Sequence, residues 1–244
     1  MPKTKYDGIY QSLRREIEAG NYLSEQALPS ESQLIQKYEC SRNTVRRAIA
    51  QLAEEGYVQS VHGKGVLVLY RRQEQTQFSI SGIESMKEAA ARNGLTLSTR
   101  VVYFTQLRVD EALSHLTGFA VGEEIYCVQR VRFLDGEALI LDHNYFLKRV
   151  VRGLTPTIAE GSVYEYMEQT LGESIVTTRR RYTVERTNDV DGRYIDMKGY
   201  NCMTVVSSQT FNKDGVQFEF TQSRHRPDRF VFYELAHRKK AESS

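Results

Sequence analysis

Apolar residues in the first third of the chain recur at helical spacing, in short pieces. Tyr6, Ile9, Tyr10, Leu13 and Ile17 follow one another at intervals of three and four, with Gly20 just after, which predicts an amphipathic helix over residues 6–19. The run "LPSESQLIQKY" predicts a second. It opens with Pro29 and Ser30, and Gln33 stands three residues after the serine, the spacing at which each side chain satisfies the other's free backbone N–H. Leu34, Ile35 and Tyr38 form its inner face. Two residues later Ser41 can cap a third helix with the stripe Val45, Ala48, Ile49 and Leu52. Two short helices joined by a tight turn are a helix-turn-helix candidate.

The pattern then changes period. "GYVQSVHGKGVLVLY" gives β-rich runs at Tyr57–Val61 and Val66–Leu69 joined by His62, Gly63, Lys64 and Gly65, a hairpin directly after the helix pair, so that the whole reads as a winged helix-turn-helix. Residues 71–77 are polar and aperiodic and read as a linker between residues 1–70 and a second domain over 78–238, with 239–244 as a tail. In that domain Glu84–Asn93 predicts a helix stopped by Gly94, Leu95–Leu107 a strand, Asp110–Leu116 a short helix and Ser162–Leu171 another. Asp135-Gly136 and Asp214-Gly215, each between strand-like runs, predict two hairpins. The fold class expected is α+β, with a mainly antiparallel sheet in the second domain.

Composition narrows the picture. A chain of 244 residues, 40% apolar, can bury the cores of two modest domains. Charges run through the first twenty residues, and no stretch reaches membrane-spanning length, so a cytoplasmic protein with no membrane partner is expected. Cys40, Cys127 and Cys202 are odd in number, widely spaced and far from any histidine cluster, which predicts reduced thiols with neither a disulfide framework nor a metal. The net charge is only +2, but residues 1–72 hold 11 Lys and Arg against 8 Asp and Glu, and the remainder 22 against 23.

Placement matters more than that regional excess. On the third helix Arg42, Asn43, Arg46 and Arg47 lie opposite the apolar stripe, and its first turn and a half has no acid to pair them. Cations at the positive end of a helix dipole are locally unfavourable, and a phosphate or a guanine edge relieves them. The glycines of the hairpin allow close backbone approach, so Lys64 with His62 can enter an adjacent groove, although the tip taken alone is also an ordinary tight turn.

Three features of the second domain point to a small ligand. In "YCVQRVRF" strand alternation puts Arg130 and Arg132 on one face, where they either share an anion or are compensated by an acid on the next strand. In "VQFEFTQSRHR" Glu219, Thr221, Ser223 and His225 form a polar stripe suited to a sugar or to plain solvent. Ser162 opens a helix and Tyr164 follows in its first turn, either a phosphate position or a simple cap.

"LPSESQL", "SRNTVRRAIAQLAEEGYV" and "GKGV" resemble the amino-terminal domain of the GntR family of bacterial transcription regulators. The resemblance implies that Ser30 and Glu31 touch phosphates, that Arg42, Thr44 and Arg46 lie against an operator, and that His62 to Gly65 reach the adjacent groove. It further implies a homodimer on palindromic double-stranded DNA, released by a metabolite. "VQRVRF", "LDHNYF", "GSVYEYM" and "FEFTQSRHRPDRFVF" are similar to the UTRA effector domain of the HutC subfamily, a chorismate-lyase-like fold. By that resemblance Arg130, Arg132, Ser162 and Tyr164 hold a phosphate, Asp142 and Glu219 meet a sugar, and Ser81 is a weaker match. His225 stands where a tyrosine is frequent in relatives that bind amino-sugar phosphates, which points away from such an effector. The final segment looks like the trehalose operon repressors of Gram-positive bacteria and implies trehalose 6-phosphate as effector. A regulator answering to another sugar phosphate or a small acid is the alternative.

An enzyme in the second domain is disfavoured. Asp142-His143, or His225 with Cys202, supplies the only imaginable constellation, and GxSxG, HExxH, GxxxxGK and dinucleotide motifs are all missing, so no cofactor is expected. An architectural DNA-binding protein without an effector would leave two thirds of the chain without a purpose.

Overall fold

The computed structural model describes residues 5–70, 78–79, 83 and 85–232, in two compact units that divide between residues 74 and 75. In the first unit α1 (Lys5–Glu18), α2 (Glu31–Tyr38) and α3 (Arg42–Glu54) precede a hairpin of β1 (Val58–Val61) and β2 (Gly65–Val68). Ile9, Leu13 and Ile17 of α1 meet Leu34 of α2 and Val45, Ala48 and Leu52 of α3 in one buried cluster, which the inner faces of the hairpin close with Val58 and Val68. The capping box at Ser30 is formed: Gln33 N donates to Ser30 Oγ at 3.3 Å and Ser30 N to Gln33 Oε1 at 2.8 Å. Gly63 and Gly65 have φ of 76° and 84°, the left-handed region that a bulky residue resists, and they let the wing turn inside four residues.

One feature of this unit has no periodic signal. The segment before α2 pairs with β2, with Glu25 N on Val68 O at 2.7 Å, Val68 N on Gln26 O at 2.9 Å and Leu28 N on Val66 O at 2.8 Å. The wing is therefore three-ply along β2.

The second unit contains β3 (Phe78–Ser79), α4 (Met86–Arg92), β4 (Leu97–Arg108), α5 (Glu111–Thr117), β5 (Glu124–Leu134) and β6 (Glu137–Leu147). These are followed by α6 (Pro156–Glu160), α7 (Val163–Gln169), β7 (Ile175–Arg186), α8 (Asp189–Tyr194), β8 (Cys202–Asn212), β9 (Gln217–His225) and β10 (Phe230–Val231). Six strands form one antiparallel sheet in the order β4-β5-β6-β9-β8-β7, and β3 pairs in parallel with β10. Asp135 and Gly136, at φ of 50° and 83°, make the β5–β6 turn with positive φ at both central residues, the geometry that matches strand twist. Val163 and Met167 of α7 pack over Val128, Phe146 and Phe218. Behind the sheet Ile195 closes a cluster of Val131, Leu141, Met203 and Val205. The helices α6 and α8 were not anticipated, since five or six residues give too short a sample of periodicity.

Among the described residues no helix is long and apolar enough to cross a membrane. Cys40, Cys127 and Cys202 are free thiols.

Candidate ligand cavity and nucleic-acid interface

Strand register lines up one polar floor across the sheet. Asp142 lies opposite both Arg130 and Ser223, and Ser223 opposite Val206; in the next row Asn144 lies opposite Thr221, Thr221 opposite Ser208, and Ser208 opposite Arg180. Above this floor α4, α6 and α7 bound a cavity of about 370 Å³, within the usual size of small-molecule sites. Lys87 of α4 and Glu165 of α7, both on its wall, pair at 2.7 Å.

Two hydrogen-bond chains fix the floor. Arg130 Nε donates to Asn144 Oδ1 at 2.8 Å, Asn144 Nδ2 to Thr221 Oγ1 at 2.7 Å, and Thr221 Oγ1 to Glu219 Oε1 at 2.8 Å. Tyr164 reaches the other Glu219 oxygen at 2.7 Å. In the second chain Asp142 accepts from Arg132 Nε at 2.8 Å and from Ser223 Oγ at 2.6 Å, while Arg132 Nη1 donates to Thr99 at 2.8 Å. Arg130 Nη1 also donates to the carbonyl of Ala159, which ties α6 to the arginine pair.

The arginines thus have an acid on the next strand, one of the two arrangements open from the sequence. Asp142 lies 2.8 Å from Arg132 Nε and 3.9 Å from Arg130 Nη2, all three side chains almost wholly buried, and the buried carboxylate of Glu219 adds its charge to that of Asp142 at Arg130. Burial works to raise the Asp142 pKa, but Arg132 and then Arg130 outweigh it and hold it below the ordinary value. Burial, followed by the charge of Arg132, lowers the Arg130 pKa, against the charges of Asp142 and Glu219, which raise it. Burial, then Glu219, raises the Tyr164 hydroxyl well above its usual value and keeps it a donor.

Arg130, Arg132, Asp142, Ser162, Tyr164 and Glu219 all line this cavity. Ser162 is also a cap, its Oγ accepting from Glu165 N at 3.2 Å. Ser81 lies outside the described residues. His225 continues the face of Glu219 and Ser223 but is not among the cavity walls: it is buried with its ring 4.8 Å from that of Phe230, and burial lowers its pKa to about 4. Asn144, Thr99, Ser208 and Arg180 were missed. Asn144 carried a signal, standing two residues after Asp142 on the same strand, whereas the others needed the strand order.

On the first unit Arg42, Asn43, Arg46 and Arg47 are exposed on α3, as are His62, Gly63, Lys64 and Gly65 on the wing. Thr44 is half-buried with its hydroxyl 2.8 Å from Ser41 Oγ. The acid missing from the first turn of α3 comes from α2: Glu31 lies 3.8 Å from Arg42 Nε and 3.5 Å from Arg46 Nε. Arg47 lies over the ring of Tyr6, its guanidinium carbon 4.0 Å from the centroid, which holds its planar head at the end of α1.

An outward basic helix beside a cationic wing, and in a second unit a cavity walled by polar side chains, are the features of a DNA-binding transcription regulator with a small-molecule domain. Residues 5–68 match the model of the bacterial regulatory proteins of the gntR family, and residues 92–231 match the UTRA domain. The HTH-type transcriptional regulator TreR of Bacillus subtilis (strain 168) is 39% identical over 240 residues, which cover 98% of this chain and 100% of the relative. The solved effector-binding domain of the B. subtilis trehalose repressor TreR is 37% identical, covers 59% of this chain and 99% of its own, and superposes with a TM-score of 0.53. The possible transcriptional regulator YydK of B. subtilis, 20% identical, covers 96% of this chain and 100% of its own with a TM-score of 0.81, a likeness of fold. The chain belongs to the GntR family of bacterial regulatory proteins and carries a UTRA domain.

Proposed function

We propose that the protein represses a carbohydrate-utilisation operon in the cytoplasm, binding a palindromic double-stranded operator as a two-fold dimer and leaving it when trehalose 6-phosphate fills the cavity. In this reading residues 1–70 hold DNA, 71–77 link, and 78–238 bind the effector and dimerise. The observation that carries it is the buried pair Arg130 and Arg132, which share the carboxylate of Asp142 and line one cavity with Ser162 and Tyr164. A phosphate there accepts from both forks, with Ser162 and Tyr164 beside it, and sugar hydroxyls reach Asp142 and Glu219. The name of the 39% identical relative supports the choice of sugar. A single wing and helix read too few base pairs for genomic specificity, and two related by symmetry read two half-sites.

Calorimetry tests the effector. Trehalose 6-phosphate binds the wild type, unphosphorylated trehalose binds far more weakly, and Arg130→Ala weakens the phosphate ester about ten- to a hundredfold while operator binding survives. Equal affinity for the two sugars, or an unchanged variant that melts like the wild type, overturns the reading. Light scattering at micromolar concentration tests the dimer, and a monomer both free and on DNA overturns that part.

A further inference from the structure

Arg180 lines the cavity from β7, the edge strand separated from β5, which carries Arg130 and Arg132, by β6, β9 and β8. Three arginines follow one another on β7, and the pleat separates them. Arg179 and Arg181 are exposed, Arg179 bonding Gln209 through Nε at 3.0 Å, while Arg180 is half-buried and lines the cavity. Its charge is felt at the Tyr164 hydroxyl, where it opposes the burial that raises that group's pKa.

The row it ends is continuous. Arg180 is opposite Ser208, Ser208 opposite Thr221 and Thr221 opposite Asn144, whose side-chain oxygen takes Arg130 Nε. Three inter-strand steps of about 4.8 Å put about 14 Å between the main chains of Arg180 and Asn144. Two hydroxyls and an amide pave that distance, and Thr178, two residues before Arg180, lines the same end. A ligand anchored at Arg130 and Arg132 has Asn144 and Thr221 first along this row, and Ser208 and Arg180 on the strands beyond them.

Resting on the sugar-phosphate reading above, we propose that Arg180 is the specificity residue that makes the cavity prefer a phosphorylated disaccharide to a phosphorylated monosaccharide. Its guanidinium donates to hydroxyls of the ring farther from the phosphate, with Thr178 and Ser208 beside it. A bidentate donor suits vicinal hydroxyls, and a ligand too short to reach it forgoes that interaction.

Calorimetric titration of wild type, Arg180→Ala and Ser208→Leu with trehalose 6-phosphate and with glucose 6-phosphate tests the assignment, with thermal melts to verify folding. Both variants are expected to weaken the disaccharide phosphate about ten- to fiftyfold, Arg180→Ala by lost donors and Ser208→Leu by filling the distal half, and to leave glucose 6-phosphate within about twofold. Equal loss for the two sugars makes Arg180 a general counter-ion and overturns the proposal. So does no loss in Arg180→Ala when Arg130→Ala has lost binding, a result that spares the phosphate site. Failure of both sugars to bind the wild type overturns the sugar-phosphate reading and this assignment together.

Discussion

Tyr164 donates its hydroxyl to one oxygen of Glu219 at 2.7 Å while Thr221 donates to the other at 2.8 Å, so a buried carboxylate is held by two hydroxyls from different elements, α7 and β9. This is where the helix over the cavity is tied to its floor. The Thr221 side continues through Asn144 to Arg130, so the far end of the chain is the proposed phosphate anchor.

Tyr164→Phe removes one of those donors. With Thr221 alone on Glu219, stability at pH 7 falls by about 1–3 kcal/mol in urea unfolding. The folded-state pKa of Tyr164 lies well above the unfolded value near 10, so its contribution is complete below about pH 10 and is lost as pH rises beyond it. The gap between wild type and variant should therefore narrow above pH 10. A constant gap from pH 7 to 11 contradicts the assignment.

His225 gives dependence at the acid end. Its folded pKa, lowered to about 4 by burial, lies below the unfolded value of 6.5, so the unfolded chain takes up the proton first. The stability it allows is complete above about pH 6.5 and declines toward pH 4, by at most about 3 kcal/mol. His143, whose pKa burial also lowers, acts in the same direction in both proteins, so comparison with His225→Phe isolates the single residue. The urea midpoint of the variant should fall less than that of the wild type between pH 7 and 5.

Behind the sheet Arg224 holds the fully buried Asp191 by two bonds, Nε at 2.7 Å and Nη2 at 2.9 Å. Arg224→Met strands that carboxylate and is expected to cost about 3–5 kcal/mol in chemical unfolding. Because Arg224 faces away from the cavity, effector affinity of the folded variant should stay within about twofold. A stable Arg224→Met protein that had lost its effector would show the two faces to be coupled.

On the first unit, Arg46→Ala is expected to lose about 1–3 kcal/mol of operator affinity and to relax one base position, the result that the proposed contact with a base edge requires. Lys64→Ala should instead weaken binding to all sequences and reduce the salt slope by about one. Fluorescence anisotropy over a salt series distinguishes them; unchanged low-salt affinity in Arg46→Ala would show that α3 does not face the groove.

The legible parts of this chain are those whose physics is local. The capping box at Ser30, the stripe Val45, Ala48, Ile49 and Leu52, and the Asp135-Gly136 turn each depend on residues a few positions apart, and each formed where the spacing placed it. The cavity walls were legible by residue type through the family resemblance, but their arrangement was not. Which strand neighbours which depends on pairings such as Asp142 with Ser223, 81 residues apart, and on the return of β9 between β6 and β8. Without that order Asp142 could not be recognised as the counter-ion of the arginines, nor Arg180 as a wall. His225 shows the converse: alternation gave its face correctly, but a face extends beyond the cavity, and at its end Phe230 covers the ring.

The ply that residues 25–28 add to β2 lies immediately before Ser30. A hairpin joined to its domain only at its base could swing like a hinged arm, carrying Lys64 with it. Stitched along its length to the chain that starts α2, it becomes part of the frame, and the spacing from Lys64 to Ser30 and Arg46 is set before any DNA arrives. If these residues hold the proposed operator, the duplex has to come to that spacing.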